Sequence, residues 1–249
     1  MSELHELTAF WDAFALEYEE NLNEQKSPLA EMVAQFLQSR GILPTDELLD
    51  LAGGSGRFMV TLQPAVKDYT LVDLSQKMLD LAQAKALGHS QFIRREQSEF
   101  LATSPKQYSV VFSAMNPTLT LATLVQMQRL AREWVILLHF KTSQDQLFSP
   151  LEEQLGEKQG LELTDYHQWL NKLGIDYFCQ PFSYTKSEMV SRAFFKEYFS
   201  AEFSPADLEA ITTRLFAASS TKENVTTLSF ELLYWQPAQL PLKMDGQTS

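Results

Sequence analysis

Short apolar runs alternate with amphipathic stretches along the first 140 residues of the chain. Each run is bounded by turn residues and is too short for a helix, which is typical of buried strands. The runs predict strands at about 47–52, 69–73, 91–96, 108–115 and 133–140. The stretches between them predict helices at 58–65, 75–87 and 119–132. Strands and helices in this order indicate a doubly wound α/β fold with a mostly parallel sheet.

The helix predicted at 75–87 has clear start and stop signals. Ser75 is a suitable N-cap, Gly88 ends the pattern, and an apolar stripe that includes Met78 and Leu79 lies between them. A helix of this length leaves room for a right-handed connection between parallel strands.

The second half of the chain departs from simple alternation. Helices are predicted at 144–158 and 163–173, the second closed by Gly174, and strands at 175–185 and 225–235. The segment between these strands, 187–221, has a helical pattern with start signals at Ser187, Ser204 and Pro205. The tail after Pro237 has little to bury and is predicted to be loose.

A cluster of small residues follows the first predicted strand. Gly53, Gly54 and Gly56 accept positive φ and leave room for a ligand against bare backbone. Asp73 comes seventeen positions after Gly56, at the end of the second strand. Neighbouring strand ends of this kind border the crevice where nucleotides bind, and an acid there can accept ribose hydroxyls. The pair therefore predicts a nucleoside site.

The spacing of the glycines argues against a nicotinamide dinucleotide as the ligand. The dinucleotide fingerprint G-x-G-x-x-G needs a third glycine for close packing of helix on strand. With glycines at 54 and 56, that third position is Met59. An NAD-dependent oxidoreductase is therefore a weaker alternative.

Composition and charge narrow the class of partner. The 249 residues suffice for one core and a small accessory unit, and a net charge of −12 opposes a broad electrostatic grip on nucleic acid. Cys179 is the only cysteine, so neither a disulfide framework nor a cysteine metal cluster is expected. The longest apolar stretch, 134–138, is too short to cross a bilayer, and residues 1–7 lack the features of a secretory signal. These features predict a cytoplasmic protein.

The first glycine cluster resembles motif I of the class I S-adenosylmethionine-dependent methyltransferases, written D-x-G-x-G-x-G. Asp50 takes the acid position, Ala52 stands where the family has its first glycine, and Gly54 and Gly56 take the other two. The run Leu-Val-Asp-Leu-Ser at 71–75 is similar to the second motif of the family. The resemblance implies S-adenosylmethionine as the cofactor and a seven-stranded sheet whose last two strands form an antiparallel pair.

The same resemblance implies roles for particular residues. Asp73 would bind the ribose, Leu74 and Met78 would flank the adenine, and Glu96 or Gln97 would lie at its amino edge. The opening Phe-Trp-Asp at 10–12, followed by Tyr18, is similar to the start of many small-molecule methyltransferases, where the tyrosine closes over the cofactor. The full set of cofactor-binding candidates is Tyr18, Asp50, Ala52, Gly53, Gly54, Asp73, Leu74, Met78, Glu96, Gln97 and Ala114.

The resemblance also implies a division of the chain. Residues 1–30 would be an N-terminal helical lid segment and 31–141 the cofactor-binding α/β core. Residues 142–186 would complete the core with helices and the sixth strand, and 187–222 would be a helical insertion. The last strand would occupy 223–237, and 238–249 would be a loose tail.

No catalytic group is assigned by these patterns, and three residues are weak candidates. His139 lies at the end of the fifth strand, where it can take a proton from a substrate or only terminate the strand. Asn116-Pro117 invites comparison with the Asp/Asn-Pro-Pro-aromatic motif of amide- and adenine-N-methyltransferases, but Thr118 and Leu119 follow here. Tyr18 is the third candidate.

The leading interpretation is a methyltransferase that acts on an unidentified small molecule. A non-catalytic S-adenosylmethionine-binding or regulatory protein with the same fold is the alternative from a different class. The aromatic residues between 177 and 203 fit a substrate pocket, an accessory core or the contact of a homodimer.

Overall fold

The computed structural model describes residues 3–156 and 165–237 of the chain. In this part, the strands are β1 Thr45–Leu51, β2 Val66–Asp73, β3 Ser90–Arg94, β4 Tyr108–Ala114, β5 Ala131–Asp145, β6 Phe178–Ser191 and β7 Thr221–Trp235. The helices are α1 Glu3–Gln25, α2 Leu29–Ser39, α3 Met59–Leu62, α4 Gln76–Ala84, α5 Gln97–Thr103, α6 Leu121–Leu130, α7 Ser149–Leu155, α8 Tyr166–Lys172, α9 Arg192–Tyr198 and α10 Pro205–Phe216. A short 3-10 turn at Gln63–Ala65 follows α3.

The seven strands form one sheet in the order β3-β2-β1-β4-β5-β7-β6. Strand β1 pairs in parallel with β2 on one side and with β4 on the other, so that Leu49 lies opposite both Thr70 and Val111. Leu48, Leu49 and Leu51 are fully buried, as expected for a strand covered on both faces. The strand order reverses at β1, and the crevice at such a switch point is where α/β proteins bind ligands.

The predicted fold class is confirmed. The first five strands fall close to their predicted positions, and the last two, β6 and β7, form the antiparallel pair that the family resemblance implied. The helix predicted at 58–65 is shorter, because α3 ends at Leu62 and a 3-10 turn completes the segment. Helix α5, for which no pattern was identified in the sequence, connects β3 to β4.

The chain divides into two compact units. Among the described residues, the first comprises 3–139, 165–180 and 231–237, and the second comprises 140–156 and 181–230. In the first unit, a large apolar cluster packs one face of the sheet against α5, α6 and α8. Its members include Val111, Val135 and Leu137 from the strands and Leu124, Met127 and Leu170 from the helices.

The second unit has an apolar core of its own. It consists of Leu147, Phe148, Leu151, Val190, Phe195, Phe199, Leu208 and Phe216. The ring centroid of Phe148 lies 5.3 Å from that of Phe195 and 5.9 Å from that of Phe199. The aromatic residues at 195 and 199 therefore build an accessory core. Whether the segment 187–222 covers the crevice stays a prediction.

The helix predicted at 144–158 begins later than expected. Strand β5 continues to Asp145, where a helix was predicted from residue 144, and α7 starts only at Ser149. The side chain of Asp145 stabilises the turn that follows the strand. Its Oδ1 accepts the N–H groups of Leu147 (2.9 Å) and Phe148 (2.7 Å). The C-terminal part of the prediction, 157–158, lies outside the described residues.

Ser187 is not a helix start, contrary to the prediction. It lies within β6, which runs beside β7, and α9 begins at Arg192 with Ser191 as its N-cap. Ser204 does cap α10, with its hydroxyl accepting the N–H of Asp207. Helix α8 begins after Asp165, whose Oδ1 accepts the N–H of Gln168 at 3.0 Å, and the predicted residues 163–164 lie outside the described part. The pairing of β6 with β7 placed Ser187 in a strand, and a local sequence pattern cannot show such a pairing.

Within residues 3–156 and 165–237, no helix combines the length and the hydropathy needed to cross a membrane.

The core of the second unit can be tested with two neighbouring residues of α9. Phe195 is fully buried, whereas Phe194 is 54% exposed. We expect Phe195→Ala to lower the free energy of unfolding by roughly 3–5 kcal/mol, because a buried ring leaves a cavity. Phe194→Ala should change it by less than about 1 kcal/mol. Urea unfolding followed by circular dichroism measures both, and equal losses for the two variants would contradict the assignment of this core.

Candidate functional site

The bend after β1 brings bare backbone to the edge of the sheet. Gly54 and Gly56 have φ of 57° and 77°, and Ala52, at the position of the family's first glycine, also has a positive φ of 55°. Gly53 is required for a different reason, since a Cβ there would lie 2.7 Å from Cγ of Leu71 and 2.8 Å from the carboxyl of Asp50. At Gly53, the bend therefore has no room for a side chain.

Asp73 ties the second strand to this bend. Its Oδ2 accepts the N–H of Gly54 at 2.9 Å, and its Oδ1 accepts the N–H of Ser75 at 2.9 Å. Burial raises the pKa of Asp73 above its ordinary value, and the nearby charge of Asp12 adds to this effect. The two features that the sequence singled out, the glycine bend and the acid, are thus in direct contact.

Asp50 lies beneath the bend and is only 2% exposed. The hydroxyl of Tyr69 donates a hydrogen bond of 2.7 Å to its Oδ2. Burial raises the pKa of Asp50 to about 7; the hydrogen bond from Tyr69 opposes this shift and the charge of Asp73 adds to it. Near neutral pH, this carboxyl is therefore partly protonated, unlike an ordinary surface aspartate.

Two adjoining pockets form the crevice. The inner pocket spans about 690 Å³, including space open to solvent. Its lining residues are Trp11, Tyr18, Asp50, Ala52, Gly53, Gly54, Arg57, Phe58, Asp73, Leu74, Met78, Ala114, Met115, Pro117 and Thr118. The outer pocket spans about 1500 Å³, including space open to solvent. It shares Ala52, Asp73, Leu74 and Thr118 with the inner pocket and adds Arg95, Glu96, Gln97 and Ser98, among others.

All the residues that the sequence nominated for cofactor binding line this crevice. Tyr18, Asp50, Ala52, Gly53, Gly54, Asp73, Leu74, Met78 and Ala114 line the inner pocket. Glu96 and Gln97 line the outer pocket. Sequence reasoning did not nominate Arg57, Phe58, Met115 or Thr118 as binding residues. The first two directly follow Gly56, and that adjacency was the available signal.

Helix α1 contributes to the crevice through one of its faces. Trp11 and Tyr18 line the inner pocket, and Leu4 and Leu7 line the outer one. Asp12 Oδ1 fastens this helix to the start of α4 by accepting the hydroxyl of Ser75 (2.5 Å) and the N–H of Lys77 (3.2 Å). Partial burial opposes the charged form of Asp12, but these hydrogen bonds outweigh it and lower its pKa.

Glu96 is the N-cap of α5 as well as a residue of the outer pocket. Its Oε2 accepts the N–H of Glu99 at 2.9 Å and the hydroxyl of Ser98. Partial burial opposes ionisation, but these bonds outweigh it and lower the pKa of Glu96. The carboxylate is therefore charged at neutral pH and held at the helix start.

Asn116 lines neither pocket. Its Nδ2 donates to Gln97 Oε1 (2.7 Å) and to Ser113 Oγ (3.2 Å), and its Oδ1 accepts the N–H and the hydroxyl of Thr118 (3.1 and 3.0 Å). Gln97 Nε2 in turn donates to the carbonyl of Thr118 at 2.9 Å. The amide thus holds Thr118, which lines both pockets, and has a structural role in the loop after β4.

His139 also lies away from both pockets. It is buried, its Nε2 is 3.2 Å from Glu231 Oε2, and its ring centroid is 4.8 Å from that of Tyr166. The same Oε2 lies 2.6 Å from His167 Nε2. His139 therefore belongs to a polar cluster between β5, β7 and α8. Contrary to the sequence prediction, it does not end the fifth strand, because β5 continues to Asp145.

Among the described residues, no group of three or more His, Cys, Asp or Glu side chains has an arrangement that would hold a metal ion.

Part of the sequence matches a known protein family. Residues 48–139, from β1 to the inner part of β5, match the family described as Methyltransferase domain. No curated protein matches the sequence. Residues 48–139 thus resemble a methyltransferase domain, and the chain has the fold of the class I methyltransferases.

Solved structures of the same fold are distant in sequence. Magnesium protoporphyrin IX methyltransferase from Synechocystis, with S-adenosylhomocysteine bound, is similar with a TM-score of 0.53 and 14% identity over 93% of this chain and 99% of its own. The DhpI complex with S-adenosylhomocysteine has a TM-score of 0.51 and 14% identity over 90% of this chain and 95% of its own. Precorrin 8w decarboxylase from Methanobacterium thermoautotrophicum has a TM-score of 0.51 and 10% identity over 82% of this chain and 89% of its own. At these identities the likeness establishes the fold alone.

The bend offers two substitutions of opposite expected effect. Ala52→Gly should raise the free energy of unfolding by about 0.5–1 kcal/mol, because the left-handed backbone costs alanine 1–2 kcal/mol and glycine's freedom in the unfolded chain offsets part of this. Gly53→Ala should lower it by about 1–3 kcal/mol, because the new Cβ would meet Leu71 and Asp50. Urea unfolding measures both. A change of the same sign for the two variants would contradict this geometry.

The raised pKa of Asp50 predicts a pH dependence of stability. In the unfolded chain the pKa returns to 3.8, so between that value and about 7 the folded state alone holds the proton. The free energy of unfolding must therefore fall as pH rises through this window, by at most about 1.4 kcal/mol per pH unit for one carboxyl. Asp50→Asn abolishes the titration but keeps an acceptor for Tyr69. We expect the stability of this variant relative to the wild type to increase from about pH 5 to pH 7.5 in urea unfolding. A difference that stays constant over this range would show that Asp50 is ionised throughout.

Proposed function

We propose that the protein transfers a methyl group from S-adenosylmethionine to a small molecule. The observation that carries this proposal is the contact between Asp73 and the N–H of Gly54 at the floor of a crevice in a methyltransferase domain. A carboxylate beside bare backbone at the switch point suits a nucleoside with an attached polar chain.

The residues of the crevice fit this cofactor. A carboxylate has about four acceptor positions, so the two N–H groups that Asp73 accepts leave capacity for ribose hydroxyls. The backbone at Ala52–Gly54 would border the amino-acid part, above the buried Asp50. Leu74 and Met78 would flank the adenine, Glu96 or Gln97 would contact its amino edge, and Tyr18 and Ala114 would complete the inner pocket.

The reaction asks the protein mainly for positioning. When bound, S-adenosylmethionine supplies an electrophilic methyl on a sulfonium, which is already a good leaving group. Holding an acceptor in line with that carbon can contribute about 7–11 kcal/mol to lowering the barrier. Trp11, Phe58 and Met115 give the inner pocket an apolar lining that favours exclusion of water.

None of the three weak catalytic candidates is needed as a base in this scheme. Burial raises the pKa of Tyr18, with the charge of Arg57 opposing, so the hydroxyl stays protonated at neutral pH and can donate a hydrogen bond. His139 and Asn116 line neither pocket. An acceptor that is nucleophilic at neutral pH is consistent with this arrangement.

Two other functions use the same fold. A sensor that binds S-adenosylmethionine without turnover would keep the cofactor crevice, and only activity separates it from an enzyme. An NAD-dependent oxidoreductase is disfavoured by Met59, whose buried side chain occupies the position of the third glycine of the dinucleotide fingerprint. Location in the cytoplasm and a homodimer stay predictions, as does the expectation that nucleic acid is not the substrate.

Calorimetric titration with S-adenosylhomocysteine, NADH and ATP tests the cofactor. We expect the wild type to bind S-adenosylhomocysteine in preference to the other two. Asp73→Asn should weaken this binding by about 1.5–3 kcal/mol, the range for hydrogen bonds to charged groups. Asp80→Asn, which alters an exposed acid of the neighbouring helix α4, is the matched control and should leave the affinity unchanged.

Binding of NADH without S-adenosylhomocysteine would overturn the proposed cofactor, and full affinity in a folded Asp73→Asn variant would remove Asp73 from the site. Turnover is tested separately, by following formation of S-adenosylhomocysteine in the presence of a metabolite extract. Binding without any turnover across a wide extract would favour the sensor.

A further inference from the structure

Strand β6 is one edge of the sheet. In the described part of the chain, β7 is its only neighbour in the strand order, so no strand lies on its other side. Residues 183–191, here called the edge segment, belong to the second unit. Side chains alternate between the faces of a strand, and Ser183, Thr185, Ser187 and Met189 are exposed on one face of β6. A strand at such an edge can pair its backbone with another strand.

The edge segment has few of the features that protect an edge strand from pairing. Proline and repeated like charges are the common protections, and Pro181 lies before the segment. Lys186 and Glu188 are the only charged residues within it. They lie on the same face and have opposite signs, and neither forms an ion pair within residues 3–156 and 165–237. The edge therefore carries one cation and one anion that the described chain does not pair.

This charge pattern is complementary to itself. Two identical edge strands pair antiparallel about a twofold axis perpendicular to the sheet, and residues on the same face then lie opposite each other. With the axis at Ser187, Lys186 of each copy lies opposite Glu188 of the other. Opposite charges at directly opposed positions stabilise a pair of strands. One register therefore forms two ion pairs.

The neighbouring registers are unfavourable. A register two residues away in either direction moves the axis to Lys186 or to Glu188, and like charges then lie directly opposite each other, which is destabilising. The register centred on Ser187 also brings Tyr184 opposite Val190, and an aromatic ring beside a β-branched side chain is a favourable cross-strand pair. Charge and packing thus favour the same register.

We propose that the protein forms a homodimer through the edge segment, in which β6 pairs antiparallel with β6 of a second copy about a twofold axis at Ser187. The two seven-stranded sheets then form one continuous sheet. The partner is a second copy because the charges of the edge complement each other in one self-paired register. No residue of the edge segment lines either pocket, so this inference goes beyond the proposed function and does not depend on it.

Charge reversal tests the pairing. Sedimentation equilibrium of the full chain at micromolar concentrations measures the dissociation constant of the dimer. Lys186→Glu should weaken the dimer by roughly 10-fold or more, because two attractive pairs become repulsive, and Glu188→Lys should do the same. The double variant restores opposite charges in reverse and should recover the dimer. Lys67→Glu, at an exposed lysine of β2, is the matched control and should leave the dimer unchanged.

Disulfide formation tests the register. Directly opposed residues of antiparallel strands have Cα atoms about 4.5–5.5 Å apart, a separation that a disulfide can span. In a Cys179→Ser background, which removes the only cysteine, Ser187→Cys should give a disulfide-linked dimer on mild oxidation. Ser183→Cys changes an exposed serine of the same face, but the two copies of this residue would lie about 26 Å apart along the strands. It should give no linked dimer on a non-reducing gel.

Four results would overturn the proposal. The first is a monomer throughout the concentration range, and the second is a dimer that Lys186→Glu leaves unchanged, which would mean that another surface forms the dimer. The third is equal cross-linking of the Ser187→Cys and Ser183→Cys variants. The fourth is a loss in the single charge variants that the double variant does not recover, since damage to the fold would then explain it. Thermal unfolding of each variant checks that it is folded. Binding of S-adenosylhomocysteine is measured separately, and its failure would contradict the proposed function and leave the dimer unaffected.

Discussion

The hydrogen bond between the N–H of Gly54 and the carboxylate of Asp73 is the contact on which the candidate site depends. It joins the ends of β1 and β2, next to the point between β1 and β4 where the strand order reverses. Parallel pairing in register brings Leu51 beside Val72, so the bend and the acid emerge at the same edge of the sheet. The crevice is therefore a direct consequence of the sheet, and the loops and helix α1 complete its walls.

The crevice also concentrates features that are unfavourable elsewhere in a protein. Ala52 and Met115, which both line the inner pocket, have positive φ although neither is glycine. Asp50 is a buried acid with a raised pKa, and Arg57 is a half-buried cation without an acidic partner in the described part of the chain. Strained backbone and poorly solvated charges cluster at functional sites, where a ligand can compensate for them. These features coincide in the one domain that a methyltransferase family matches.

In the second unit, the structure separates the aromatic residues that build the core from those that are exposed. From the sequence, the aromatic residues near 177–203 fitted a pocket, a core or a subunit contact. Phe195 and Phe199 are buried in a core with Phe148 and Phe216, whereas Phe194 and Tyr198 are about half exposed on the same short helix. Most of the buried rings are thus accounted for by the stability of a small unit, without any ligand.

The sequence by itself predicted the succession of strands and helices in the first half, the glycine bend and many of the residues that line the crevice, because these follow from local patterns and from motifs whose spacing is set by one strand and one turn. Tertiary structure decided the rest. It placed Ser187 in a strand, since pairing with β7 outweighed a local helix signal. It turned Asn116 and His139 away from the crevice and used their side chains in buried polar clusters. It also brought Arg57 into the inner pocket, because the direction of a side chain after a bend depends on the packing around it, which no pattern along the chain records.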